Sequence, residues 1–382
     1  MTRGVLTCYN QCMLTVPTAY GSILLTVFLA ATALTGGLYY ASRNRDKFLP
    51  DIRERDVHKV RKSRIGGIAI WFSILVALLI VAAIPNTSHF LNFSRPYFGG
   101  LDISLWGIIA GLSVLLVMGL IDDIKGLSPA AQLLGQFLAS LCLVVAGIGV
   151  SHITLPFGGL LPLDQTSWVL PTWLGGQTIW LWSSLFTIIW TMTMINVMNW
   201  FDGLDGLAGS VSVTASVVLF FLSIKLGFLS TATLAIVLAA ASAGFLVWNW
   251  YPSKLFMGTV GSQSIGFVLA VIAIVSGGKV ATATIVLGVP LFDALIVVIR
   301  RLVAGASPFQ ADQRHLHHRL LKMGLPVPWV VITINVVAAI FGLFAYRAQQ
   351  ANAKGALTLL LVALMLVFIY LTYVFERGSK KA

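Results

Sequence analysis

Residues 179–225 read IWLWSSLFTIIWTMTMINVMNWFDGLDGLAGSVSVTASVVLFFLSIK, two long apolar runs separated by a turn that carries Asp202 and Asp205. A membrane-spanning helix needs about 20 mostly apolar residues. A charged side chain at the bilayer centre costs about 2.5–3.5 kcal/mol even on the lenient insertion scale. The acids are therefore at a membrane interface or in use, with spans over 179–198 and 207–225 on either side. Gly203, Gly206 and Gly209 allow a tight, uncovered backbone at the turn.

The rest of the chain repeats this pattern. Of its 382 residues, 58% are hydrophobic and 10% charged, and the mean hydropathy is +0.91. Strand alternation of the kind a membrane barrel needs is absent, so helices are the spanning solution that satisfies the backbone. Apolar runs at 18–41, 66–84, 103–120, 132–150, 179–198, 207–225, 231–250, 261–276, 280–299, 329–346 and 355–375 predict an all-α membrane protein. It is read as a polytopic helical bundle of about eleven transmembrane helices, with residues 1–382 forming a single integral membrane domain. The first run lacks a small-residue cleavage pattern and is read as a span, not a leader.

Lys and Arg set the orientation. Segments 42–65, 121–131, 199–206, 251–260, 300–328 and 376–382 hold 19 of them, against six elsewhere (Arg3, Arg95, Lys225, Lys279, Arg347 and Lys354). By the positive-inside rule the N-terminus lies outside and the C-terminus in the cytosol. The net charge of +12 is thereby accounted for without nucleic acid, since no basic domain stands apart from the spans. The outer segment 151–178, with its Pro and Gly residues, predicts a hairpin or a re-entrant turn. Cys8, Cys12 and Cys142 are too few and wrongly spaced for a zinc site or a disulfide framework.

Polar chemistry gathers on the inner loops. PDIRERDVHKVRKSRIGG reads as an anchor to anionic lipid, its end near Lys62, Arg64, Gly66 and Gly67 leaning toward phosphate. In MGLIDDIKGLSP, Asp122 and Asp123 must coexist at a span end, which raises one pKa unless a cation lies between them. In NVMNWFDGLDGL, Asn196, Asn199 and Asp202 fall three apart and share a helical face, an oxygen set suited to Mg2+. YPSKLFMGTVGSQSIGF offers backbone amides ahead of a helix, and Phe256 for a base to stack on. In RRLVAGASPFQADQRHLHHRLLKMG, Arg300, Arg301, Arg314 and Arg319 surround His315, His317 and His318, a dense donor set for a pyrophosphate. His315 and His318 share a face at helical spacing, yet HLHH is not the HExxH of zinc proteases. Asp293 is a separate buried acid that pairs with a nearby Arg or lines the cavity.

From Pro50 to Gly324, the RIGG loop, DDIKGLSP, NVMNWFDGLDGL, FMGTVGS and ASPFQADQRHLHHRLL occur in the order of one family. The sequence resembles the polyprenyl-phosphate N-acetylhexosamine-1-phosphate transferases, which include the phospho-N-acetylmuramoyl-pentapeptide transferases. The HLHHRL form is similar to the WecA and TagO branch. The resemblance implies transfer of a sugar 1-phosphate, GlcNAc-1-phosphate for this branch, from a UDP-N-acetylhexosamine to undecaprenyl phosphate with release of UMP. It also implies Mg2+, with Mn2+ as a substitute, and a multi-pass place in the bacterial cytoplasmic membrane with the active site facing the cytosol. A homodimer is the expectation from relatives.

Carried over by position, Asp122 and Asp123 serve the lipid phosphate, and Asp202 is a catalytic acid and metal neighbour. Asn199 is similar to a metal ligand, Asp205 to a uracil-reading residue and Phe256 to one that stacks on uracil. Arg314, His315, His317, His318 and Arg319 resemble the group that binds the diphosphate, and Arg64, at the end of the basic loop, is read as a further substrate-binding residue. Two positions depart from the pattern. Thr259 stands where the family writes a metal-binding Asp, and Gln132 where many relatives have Lys. Thr259 can ligate Mg2+ through its hydroxyl but brings no charge, so a catalytically impaired relative that only binds nucleotide sugar or lipid phosphate is the alternative.

Overall fold

The computed structural model describes residues 3–44, 62–84, 88–93, 95–154, 159–169, 178–276, 280–305 and 315–348, with single positions between 359 and 370. Its helices are α1 (Arg3–Ser42), α2 (Gly67–Ala83), α3 (Ile103–Lys125), α4 (Pro129–Val145), α5 (Leu181–Phe201) and α6 (Leu207–Lys225). They continue as α7 (Leu229–Asn249), α8 (Gly258–Val275), α9 (Val280–Val286), α10 (Gly288–Val303), α11 (Leu316–Lys322) and α12 (Val327–Ala348). Among the described residues, seven helices are long and apolar enough to cross a membrane, namely α1, α3, α5, α6, α7, α8 and α12, while α2 and α4 are shorter apolar helices. The chain is an all-α polytopic membrane protein.

Three two-stranded antiparallel sheets decorate the bundle: β1 (Tyr97–Phe98) with β2 (Leu101–Asp102), β3 (His152–Thr154) with β4 (Leu160–Pro162), and β5 (Ser167–Val169) with β6 (Thr178–Trp180). The last two realise the hairpin reading of segment 151–178.

Two sequence expectations change. The span expected at 280–299 is broken into α9 and α10 around Leu287. Pro290 explains the break, because it has no N–H to give and its ring crowds the carbonyl four residues back, that of Val286. Helix α3 continues past 120 to Lys125, so Asp122 and Asp123 occupy its last turn and not a loop. The run at 355–375 and most of loop 42–65 lie outside the described residues.

Helices α7 and α8 form the buried centre, whereas α1 and α12 bury only part of their surface. Lipid tails are as apolar as Leu, so helices in a bilayer associate through close packing of small residues. On α7, a Cβ added to Gly244 would lie 2.5 Å from the Phe28 carbonyl oxygen of α1, and on α8 one added to Gly266 would lie 2.5 Å from that of Met194 on α5. Buried polar groups are paired across helices. Gln136 of α4 and Asn196 of α5 exchange amide hydrogen bonds, and Trp71 Nε1 donates to the Leu112 carbonyl at 2.9 Å. The up-and-down order brings the last turns of α3, α5 and α7 and the first turns of α2, α6 and α8 to one end of the bundle, where the acidic loops meet.

Candidate functional site

The acidic pair at the end of α3 sits where the helix dipole disfavours carboxylates, so other elements must supply its donors. Asp123 accepts the Thr259 N–H at 2.9 and 3.0 Å and the Val260 N–H at 3.4 Å. It thereby caps the free N–H groups that open α8. Asp122 accepts from Leu127 N and Gln132 Nε2 on Oδ1, both at 2.8 Å, and from Thr259 Oγ1 on Oδ2 at 2.6 Å. Gly258 enters the helix at φ +70°, and a Cβ there would lie 2.1 Å from the Arg64 carbonyl and 2.7 Å from Asp123 Oδ2.

The basic segment before α2 is zipped to the chain before α8. Phe256 N donates to Ser63 O at 2.9 Å, Gly66 N to Phe256 O at 3.1 Å and Gly67 N to Met257 O at 2.7 Å. This corrects the reading that the glycine pair leans toward phosphate: a Cβ on Gly67 would lie 2.1 Å from Gly261 N, so the pair serves backbone approach. Lys62 is also committed. Its Nζ lies 3.5 Å from Asp205 Oδ2, 3.1 Å from Ser253 Oγ and 5.1 Å above the Phe256 ring. Buried Asp205 accepts from Ser253 N at 2.9 Å and Ser253 Oγ at 2.7 Å. Buried Asn249 accepts the Gly206 N–H at 3.0 Å and donates to Leu255 O at 2.9 Å, tying the acidic turn to the Phe256 loop. Sequence reasoning missed Ser253 and Asn249, because neither carries a charge that the membrane would penalise.

Between these groups lies Asp202. Helix α5 stops at Phe201 and Asp202 turns out at ψ 53°, while Asn196 faces Gln136, so the expected three-residue oxygen face reduces to Asn199 and Asp202. Asn199 Oδ1 accepts from Ser262 Oγ at 2.9 Å and keeps a second lone pair. Half-buried Asp202 has no hydrogen-bond donor among the described residues. Burial, and then the carboxylates of Asp123 and Asp205, push its carboxyl up to about 7, against the opposing charge of Arg64.

The histidines close the site from the α11 side. The Phe201 ring meets the His317 ring edge-on at 6.0 Å, and a Cβ on Gly203 would lie 2.4 Å from His317 Nε2, so His317 stands against both neighbours of Asp202. His315 is the N-cap residue of α11 and stacks on His317 at 5.7 Å, and His318 lies 4.3 Å beyond. The expected common face of His315 and His318 is therefore replaced by a row of three rings. Asp293 of α10 pairs with His315: Oδ2 lies 2.8 Å from His315 Nδ1, and Oδ1 accepts the Leu316 N–H at 2.7 Å. His317 is fully buried, neither ring nitrogen has a hydrogen-bond partner among the described residues, and burial, then His318 and His315, hold its pKa well below the usual value. Arg319 is buried on the same helix. Arg314 lies outside the described residues. Apolar contacts of Phe201, Leu204 and Leu207 with Leu316, Leu320 and Val330 seat α11 on this end of the bundle.

A carboxylate raised by burial and by two like charges is one that a cation would favour in its ionised form. Among the described residues no three His, Cys, Asp or Glu side chains come together in ligating geometry. The oxygen-bearing side chains that could hold a cation here are Asp202 and Asn199, and a hard cation such as Mg2+ usually takes the rest of its shell from water and substrate phosphate.

Comparison with known proteins bears on this arrangement. The family model for glycosyl transferase family 4 matches residues 105–277, and the decaprenyl-phosphate N-acetylglucosaminephosphotransferase of Mycobacterium leprae is 31% identical over 88% of this chain and 84% of its own length. The chain belongs to the polyprenyl-phosphate N-acetylglucosamine-1-phosphate transferases of glycosyl transferase family 4. Other members resemble it at lower identity: the probable undecaprenyl-phosphate N-acetylglucosaminyl 1-phosphate transferase of Bacillus subtilis at 26% over 82% of this chain and 80% of its own, and the undecaprenyl-phosphate alpha-N-acetylglucosaminyl 1-phosphate transferase of Escherichia coli K12 at 25% over 94% and 92%. The family match runs from α3 through α8 and so takes in Asp122, Asp202, Asp205 and Thr259, while the histidine helix falls beyond it.

Proposed function

We propose that this protein transfers GlcNAc-1-phosphate from UDP-GlcNAc to undecaprenyl phosphate, releasing UMP, at the cytosolic face of a bacterial cytoplasmic membrane. One observation carries the proposal: Asp202, in the turn after α5, feels the carboxylates of Asp123, in the last turn of α3, and of Asp205, at the end of the bundle that also holds His315, His317 and His318. Phosphoryl transfer asks a protein for positioning and charge neutralisation more than for covalent chemistry. Asp122 and Asp123 would orient the lipid phosphate for direct attack. Phe256 and Asp205 would receive the uracil, and His317, His318 and Arg319 would bind the diphosphate as its charge shifts to the leaving group. Asn199 and Asp202 would hold Mg2+, which when bound offsets the charge of the phosphates. The excess of Lys and Arg on the loops at the site's end supports the cytosolic orientation.

The test is UMP release by the purified chain, supplied with Mg2+, undecaprenyl phosphate and a panel of UDP-sugars. Turnover with UDP-GlcNAc and loss of turnover without the lipid are expected. Binding of UDP-GlcNAc with no UMP from any donor would instead establish the non-catalytic reading.

A further inference from the structure

The two positions at which this chain departs from its motifs lie on different helices and meet on one carboxylate. Gln132 of α4 donates to Asp122 Oδ1 at 2.8 Å, and Thr259 of α8 donates to Asp122 Oδ2 at 2.6 Å. With the Leu127 N–H, all three donors to Asp122 are neutral. We propose that Gln132 and Thr259 are a matched pair of positioning residues that fix the Asp122 carboxylate, and that Thr259 serves the acid and not the metal. The proposal rests on the transferase reading for what Asp122 does.

Charge and geometry carry the argument. A hydroxyl that donates to a carboxylate at 2.6 Å has its proton committed there, and its orientation is set by that bond. The backbone of Thr259 is committed as well, its N–H given to Asp123 at 2.9 Å. One residue therefore addresses both carboxylates of the pair. A carboxylate at 259 would face Asp122 at hydrogen-bond range, and like charges so placed cannot both ionise without a compensating cation. A lysine at 132 would supply that cation, because its ammonium would replace the Gln132 amide against Oδ1. Lys with Asp, or Gln with Thr, leaves the same net charge of −1 on the trio. Either mixed combination does not. Thr259 is then no lone loss of a charge but half of a compensated exchange.

The test uses the full-length protein in detergent or nanodiscs. Thr259→Ser retains the donor and is expected to keep kcat near wild type. Thr259→Val is expected to lower kcat by about a hundredfold, the order seen when a catalytic group is misplaced, while Mn2+ binding followed by electron paramagnetic resonance stays unchanged. Thr259→Asp is expected to lose activity alone and to regain at least about tenfold when combined with Gln132→Lys. Non-additive thermal melts in a Thr259→Val and Asp122→Asn cycle are expected from their direct contact. Weakened Mn2+ binding in Thr259→Val, a more active Thr259→Asp, or additive melts would overturn the proposal. Should the wild-type protein not turn over any UDP-sugar, the transferase reading fails, and the Mn2+ and melting measurements still decide the role of Thr259.

Discussion

Asp293 holds His315 by its ring and the chain by the next amide: Oδ2 lies 2.8 Å from His315 Nδ1, and Oδ1 accepts the Leu316 N–H at 2.7 Å. Both side chains are buried. The bond at Nδ1 fixes which ring nitrogen is left to face the site, the usual way an acid sets a histidine tautomer. It also caps the first turn of α11, which carries His317, His318 and Arg319.

Asp293→Asn is therefore expected to fold and to fail in catalysis. The Asn carbonyl can still accept the Leu316 N–H, but the ring loses its charged partner, a bond worth about 1.5–3 kcal/mol. Turnover should fall by about a hundredfold, with the melting temperature lowered by a few degrees. Asp293→Ala should lower it further, since the Leu316 amide is then buried unpaired. Wild-type turnover in Asp293→Asn would show that His315 needs no orienting acid.

Asp202 gives a pH dependence of known sign. Its carboxyl is raised to about 7 in the folded, metal-free protein, against about 3.9 in an unfolded chain. Between those values the folded state binds the extra proton, so this group's contribution to stability is present at acid pH and is lost as pH rises through 7. Asp202→Asn should melt higher than wild type at pH 8 and close to it at about pH 4. Cation binding should displace the proton. Mg2+ titration by calorimetry at pH 6.5, in two buffers of different ionisation heat, is expected to show proton release that Asp202→Asn abolishes.

His317 runs the other way. Its imidazole is buried without a hydrogen-bond partner among the described residues, and its pKa is held well below the usual 6.5. The unfolded chain binds the proton more readily, so stability from this group is complete above about 6.5 and is lost as pH falls below it. His317→Leu keeps the volume and removes the titration. Its melting temperature between pH 7 and 5 should fall less than that of wild type, while its turnover is lost. Parallel melting curves for the two proteins over that range would refute the buried, neutral histidine.

These groups differ in how visible they were in the sequence. Asp122, Asp123, Asp202 and Asp205 stood out because a membrane penalises charge, so each had to lie at an edge or in use. Ser253 and Asn249 did not stand out. Hydroxyls and amides are tolerated throughout a bundle, and only the folded chain brings Ser253 onto Asp205, 48 positions away. The spans were legible from apolar runs, but their ends were not: α3 carries its acids inside its last turn because Thr259 of α8 and Gln132 of α4 donate hydrogen bonds to them there. The apolar run at 280–299 is of spanning length, and the break that Pro290 imposes shows only in the folded chain. The sequence marks Asp293 as a buried acid and leaves its partner open, since spacing along one chain does not fix which group comes near it.

Gly67→Ala tests whether backbone contact between α2 and α8 sets the site. A Cβ there would lie 2.1 Å from Gly261 N and 2.6 Å from Met257 O, both main-chain atoms that cannot rotate away. Overpacking of this kind costs about 1–3 kcal/mol. The strain falls on the Gly67 N to Met257 O bond at 2.7 Å, next to the Gly66 N to Phe256 O bond at 3.1 Å, so the Phe256 loop should shift with it. Gly37 of α1 is the control, because its added Cβ meets nothing within 4 Å and alanine favours a helix by roughly 0.5–1 kcal/mol over glycine. Gly67→Ala should melt several degrees lower and show a raised KM for the nucleotide sugar, and Gly37→Ala should match or exceed wild type in both. Equal behaviour of the two variants would mean that the zipper between 63–67 and 256–257 does not position the base-binding side of the site.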